Sequence, residues 1–138
     1  MAEGLLRRLC ESRPALRHVE VASAGTIAIG GNRSLSACAA VMQELFGIDI
    51  SAHRARRFGP DISAEIILAM DPDVARQARA LDVRGDIQLL GDYAGSPGEI
   101  VDDPYGGAEQ DYRACAQQIR RLVVAVADRL EAASSSAL

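Results

Sequence analysis

An unbroken apolar run, Ile66-Ile67-Leu68-Ala69-Met70, stops directly on Asp71-Pro72. A strand covered on both faces needs apolar side chains at every position, because neither face meets water. Aspartate then supplies a helix N-cap, and proline suits the first helical turn, where its fixed φ and missing N–H do no harm. The junction therefore predicts strand, turn and helix in immediate succession, with the helix running to about Leu81. That unit builds parallel α/β sheets and little else.

The rest of the chain follows the same alternation. Ala2 to Glu11 reads as a helix, with Leu5, Leu6 and Leu9 at helical spacing and arginines opposite. It opens the chain with no capping side chain and no strand before it, which is unusual in an α/β domain. His18 to Ala22 alternates with Val19 and Val21 on one face and reads as a strand closed by Ser23-Ala24-Gly25-Thr26. Ser34 to Phe46 places Leu35, Cys38, Met42 and Leu45 on one helical stripe, and Gly47 follows as a left-handed terminator. Ile87 to Leu90 reads as a further short strand, and Gly91 to Gly107 as a long loop rich in Gly, Asp and Pro. Tyr112, Cys115, Ile119, Leu122 and Val126 mark a long final helix, with a frayed tail expected over 134–138. The expected architecture is a single α/β domain over 1–133, a three-layer open parallel sheet whose first, central strand is absent.

Size and charge narrow the class. A chain of 138 residues holds one sizeable core. With 49% hydrophobic and 25% charged residues and a net charge of −4, it is neither disordered nor suited to non-specific nucleic-acid binding. No apolar run approaches the roughly 20 residues that span a bilayer, and no signal-peptide layout is present, so a cytoplasmic protein without a membrane partner is expected. The odd set Cys10, Cys38 and Cys115 contains no CxxC pair and reads as reduced, packed thiols rather than a disulfide frame. No metal or cofactor motif is present.

Ligands of open α/β sheets bind beyond the carboxyl ends of the strands, which directs attention to the loops after Ala22, Met70 and Leu90. The last of these contains Val101-Asp102-Asp103-Pro104-Tyr105-Gly106-Gly107, where carboxylates stand beside a rigid proline and one aromatic ring. By itself this is common loop punctuation. Four segments in order change its weight: Ser23-Ala24-Gly25-Thr26, then Gly47 to Arg56 with Ser51-Ala52-His53-Arg54, then Ile67 to Asp71, then Asp103-Pro104-Tyr105. In order and spacing these resemble the signature segments of the low-molecular-weight protein tyrosine phosphatases. The opening Met1-Ala2-Glu3-Gly4-Leu5-Leu6 is similar to the helix that in this family directly follows the catalytic Cys-x5-Arg-Ser-Pro loop.

The resemblance covers essentially the whole chain except for that loop and the strand before it. It implies hydrolysis of a phosphorylated protein substrate through a phosphocysteine, without a cofactor. Asp103 is then the general acid, Tyr105 stacks on the phosphorylated side chain, and Ser23 and His53 support the phosphate loop by hydrogen bonding. The nucleophile and the phosphate-binding arginine have no counterpart here, so the 138 residues as they stand are expected to be inactive, with a misassigned start as the simplest origin. Cys115 to Arg121 meets the bare Cys-x5-Arg spacing only inside a helix, with no glycine to let N–H groups converge on the thiol. The single aromatic before Gly106-Gly107 looks like the bacterial protein-arginine phosphatase branch, whereas the absence of cysteines from His53 to Tyr112 sets arsenate reduction aside. A non-catalytic binding or interaction module of the same fold is the alternative. Arg54, Arg56 and Arg57 carry no role at this stage, and Asp71 is read as a cap.

Overall fold

The structure, a computed structural model, describes residues 1–26 and 36–136. Its elements in chain order are α1 (Ala2–Ser12), a 3-10 turn at Pro14–Leu16, α2 (Ser36–Phe46), β1 (Ser63–Ala69), α3 (Pro72–Ala80), β2 (Arg84–Leu89), α4 (Leu90–Tyr93) and α5 (Glu109–Ser136). The strands β1 and β2 pair in parallel, with Ile67 opposite Ile87 and Ala69 opposite Leu89. A parallel pair needs a crossover, and α3 supplies it.

The junction that announced this unit folds as its residues require. Asp71 is the N-cap of α3, and its side chain accepts the Val74 N–H at 2.8 Å, with Pro72 in the first turn. At the other end of the unit the pairing is irregular between Ser63 and Ile66. Gly85 lies there at φ +145, and a Cβ on it would stand 2.4 Å from the Ala64 carbonyl oxygen. Only glycine allows the two backbones to approach this closely.

Apolar side chains on the two faces of β1 enter different cores, as a doubly covered strand demands. Ile66 and Leu68 pack against the main cluster, where Leu5 of α1 and Met42 of α2 meet Ile119, Leu122, Val123 and Val126 of α5. Ile67 turns the other way, with Ile87, onto Phe58, Ile62 and Ala78. The helix α5 is thus the spine against which α1 and α2 pack, and α3 covers the opposite face of the sheet.

Four expectations are corrected or bounded by the structure. His18 to Ala22 does not form a strand. A strand exists only where its N–H and C=O groups pair with a neighbouring strand, and among the described residues this segment pairs with none: the Val19 N–H turns back to the Leu16 carbonyl at 3.0 Å, the Val21 carbonyl accepts the Arg7 guanidinium at 2.6 Å, and pairing begins only at Gly25, bridged to Arg57. Its valines nevertheless face inward, onto Cys10, Leu16 and Ala127. Leu90 opens α4 instead of closing β2, so the long loop begins with a helical turn. The start of the second predicted helix, Ser34-Leu35, lies outside the described residues, while its end at Phe46 and the left-handed Gly47, at φ +64, agree with the sequence. The final helix continues through Ser136, past Ser134.

Candidate active site

The first turn of α1 is the point on which the chosen residues converge. Glu3 stands there, where a carboxylate is favoured by the positive end of the helix dipole. One of its oxygens accepts the Ser23 hydroxyl at 3.2 Å, and the other lies 3.3 Å from Nδ1 of His53 and 3.6 Å from the Arg7 guanidinium. Three stretches distant in sequence, the turn after Val21, the loop before β1 and the head of α1, are therefore tied by one carboxylate whose side chain is only 16% exposed. Ser23 and His53 were singled out from the sequence; Glu3, which holds both, was not. Its signal was an acid in the first turn of α1, which the helix dipole already explains.

The backbone beneath this network is fixed. Gly25 pairs in parallel with Arg57, donating to the Arg56 carbonyl at 2.8 Å and accepting the Phe58 N–H at 2.9 Å. Phe58 is buried against Ile62 and Ala78 and so anchors the stretch that carries His53 to Arg57. Arg54 folds back onto the Ser51 and His53 carbonyls, at 3.1 and 2.9 Å.

Asp103 and Tyr105 occupy an ordered turn rather than a floppy loop. Oδ1 of Asp103 accepts the Tyr105 N–H at 3.0 Å, and Gly107 donates to the Pro104 carbonyl at 2.8 Å. The Ala108 N–H is taken by Asp111, at 2.8 Å, as α5 begins. This leaves the Asp103 carboxylate exposed and the Tyr105 ring 74% exposed, which is unusual for so large an apolar group. Val101 ties the loop to the end of β1 through its N–H and the Met70 carbonyl, at 2.9 Å.

Electrostatics relates Asp103 to the same helix start. Burial pushes the Cys38 and Cys115 thiols up; the amino group of Met1 pulls each back, and the Asp103 carboxylate adds to the rise. Both thiols therefore feel the head of α1 and Asp103 at once. Met1 itself packs with Cys38 around Val41, Tyr112 and Ala116. All three cysteines lie in helices, with thiols pushed up chiefly by burial. Cys115 sits in α5 with its thiol directed to the Asp102 carbonyl at 3.7 Å, Arg121 of the same helix is engaged by Glu99, and Cys10 is buried with its thiol pushed up, chiefly by desolvation. No described residues form a His, Cys, Asp and Glu group able to hold a metal ion, and no described helix is long and apolar enough to cross a membrane.

What this arrangement offers chemically is a helix head whose dipole suits an anion and a carboxylate that holds a serine and a histidine beside it, with a further acid, Asp103, exposed in the loop before α5. Residues 1–136 match the family model of the low molecular weight phosphotyrosine protein phosphatases. Among solved structures, the chain is similar to the low molecular weight protein tyrosine phosphatase from T. tengcongensis, with a TM-score of 0.79 and 27% identity over 93% of this chain and 88% of that one. It is similar in fold to the YwlE arginine phosphatase from Geobacillus stearothermophilus, with a TM-score of 0.80 and 24% identity over 98% of this chain and 86% of that one. The same holds for the tyrosine phosphatase Wzb from Escherichia coli K30, in complex with sulphate, at a TM-score of 0.80 and 22% identity over 94% and 87% of the two chains. No curated protein matches the sequence.

Proposed function

This chain belongs to the low molecular weight phosphotyrosine protein phosphatase family, and from that premise we propose that residues 1–133 are the single catalytic scaffold of a cytoplasmic phosphoprotein phosphatase working through a phosphocysteine. In that reaction a cysteine thiolate attacks phosphorus, the S–P bond forms as the bond to the leaving group breaks, and Asp103 donates a proton to the leaving atom. Water then attacks phosphorus, Asp103 takes a proton from it, and the S–P bond breaks to release phosphate. Tyr105 flanks the phosphorylated side chain, and Ser23 and His53, positioned by Glu3, hold the phosphate-binding loop at the head of α1. The observation that carries the reading is the convergence of Ser23 and His53 on Glu3 in the first turn of that helix.

The chemistry needs a thiolate among helix N-terminal N–H groups with an arginine beside it. The 138 residues contain no thiol so placed, so the proposal for them by themselves is no turnover. The burial that raises Cys10, Cys38 and Cys115 is the one observation favouring the second reading, a non-catalytic binding module on this scaffold.

For the substrate, the single aromatic of the acid-bearing loop favours phosphoarginine over phosphotyrosine. Gly106 stands at φ +80, where an aromatic side chain would be strained, and a Cβ on Gly107 would lie 2.7 Å from the Asp111 carboxylate. The loop thus presents one ring and not a two-ring wall, and the YwlE arginine phosphatase is among the proteins of like fold.

Assays of aryl phosphate hydrolysis test the reading. The 138-residue chain should be silent, and the same chain preceded by a strand and a Cys-x5-Arg-Ser-Pro loop should turn over. Hydrolysis by the 138 residues alone overturns the assignment of roles, and a silent extended chain that still folds favours the binding module.

A further inference from the structure

We propose that Arg56 and Arg57 form a docking rim for acidic residues flanking the phosphorylated side chain of the substrate; this deepens the phosphatase reading and rests on it. All 15 basic side chains of this protein are arginines, and most are engaged within the molecule. Arg7, Arg13, Arg76, Arg113 and Arg121 hold carboxylates, and Arg120 and Arg129 lie over the rings of Phe46 and Tyr93. Arg54 is spent on the Ser51 and His53 carbonyls. Among the described residues, Arg56 and Arg57 have no side-chain partner, and both are exposed. Arg17 and Arg84 share that freedom but stand apart from the site.

Position and charge give the pair its meaning. The backbone of Arg57 bridges to Gly25, two residues beyond Ser23, and Arg56 follows His53 by three, so the backbone of both arginines runs within a few residues of the two that Glu3 gathers at the head of α1. Ile50 to Pro60 contains three arginines and a histidine and no carboxylate, in a chain of net charge −4. A local positive block beside the site on an acidic protein steers carboxylate-bearing segments to that rim and repels them elsewhere. The pairing with Gly25 and the buried Phe58 fix the backbone that carries the guanidinium groups, so little order is lost on binding. Guanidinium forks match carboxylates in bidentate geometry, which an ammonium does not.

Fluorescence anisotropy of the 138-residue protein with a labelled, unphosphorylated peptide rich in glutamate, at low and high salt, tests the rim. Each exposed ion pair is worth roughly a two- to fivefold change in affinity, so Arg56→Gln/Arg57→Gln should weaken binding about tenfold and flatten its salt dependence. Arg17→Gln/Arg84→Gln removes the same charge from unpartnered arginines elsewhere and should change affinity less than twofold. Equal losses in the two variants, no binding by the unmodified protein at low salt, or tighter binding of a single-stranded oligonucleotide with the same dependence on Arg56 and Arg57 would overturn the proposal. Because the peptide carries no phosphate and no turnover is read, the outcome is independent of whether the extended chain hydrolyses aryl phosphates.

Discussion

Glu3 and His53, fifty positions apart, meet at 3.3 Å, with the Ser23 hydroxyl on the other oxygen of the same carboxylate. This contact ties the head of α1 to the loop before β1. Glu3→Ala leaves a serine, a histidine and an arginine without their common acceptor at a mostly buried position. Loss of such shared bonds should lower stability by about 1–3 kcal/mol. Urea unfolding of the variant against Ser23→Ala and His53→Ala checks this, and the three losses should be non-additive, since they share one network.

Asp103 is exposed and tied to the fold by a single backbone bond from Tyr105. Asp103→Ala should therefore leave urea unfolding nearly unchanged. In a chain extended by the phosphate loop it should slow hydrolysis of poor leaving groups by about 10² to 10⁴, the usual loss when a general acid is removed. An unchanged rate removes Asp103 from the mechanism.

The thiols should show their burial. Cys10, Cys38 and Cys115 are all raised above the ordinary thiol range, each chiefly by desolvation. A disulfide reagent at neutral pH should label the native protein slowly and all three sites at once in urea. Since the unfolded thiols ionise first, their contribution to stability is intact below the ordinary thiol pKa and is lost as pH rises through the raised values. Replacing the three with alanine or valine should flatten the alkaline fall in stability.

Gly91 lies where α4 turns the chain out of β2, and a Cβ there would stand 2.2 Å from the Glu99 carbonyl oxygen. Its own carbonyl accepts the Ser96 N–H at 2.8 Å, closing the loop that leads to Asp103. Gly91→Ala forces two backbones apart, and such overpacking typically costs about 1–3 kcal/mol. Gly95→Ala, at φ +85 but in open space, should cost less; the two midpoints in urea make the comparison.

Where local chemistry decided the structure, the sequence was sufficient to read it. Asp71-Pro72 capped α3 as its side chains dictate, the Ile66 to Met70 run fell on β1, which spans Ser63–Ala69, and Gly47 ended α2 in the left-handed region. The spacing of Tyr112, Cys115, Ile119, Leu122 and Val126 drew the buried stripe of α5. The family resemblance was likewise carried by short ordered segments, and residues 1–136 match the family model. His18 to Ala22 shows the boundary of this legibility: its alternation correctly turned Val19 and Val21 inward, but a strand also needs a neighbouring backbone, and no local pattern states whether one is there.

The sequence alone thus determined the α/β alternation, the helix caps and the two faces of β1, because periodicity and capping act over a few residues. Tertiary structure decided what gathers at the head of α1. Glu3 reads as a dipole-favoured acid and His53 as a loop residue until the fold brings 3, 23 and 53 together. Arg56 and Arg57 read as one more charge run until their neighbours prove to be spoken for. Such contacts join residues distant in sequence, and their energies depend on burial and on what else competes for each partner.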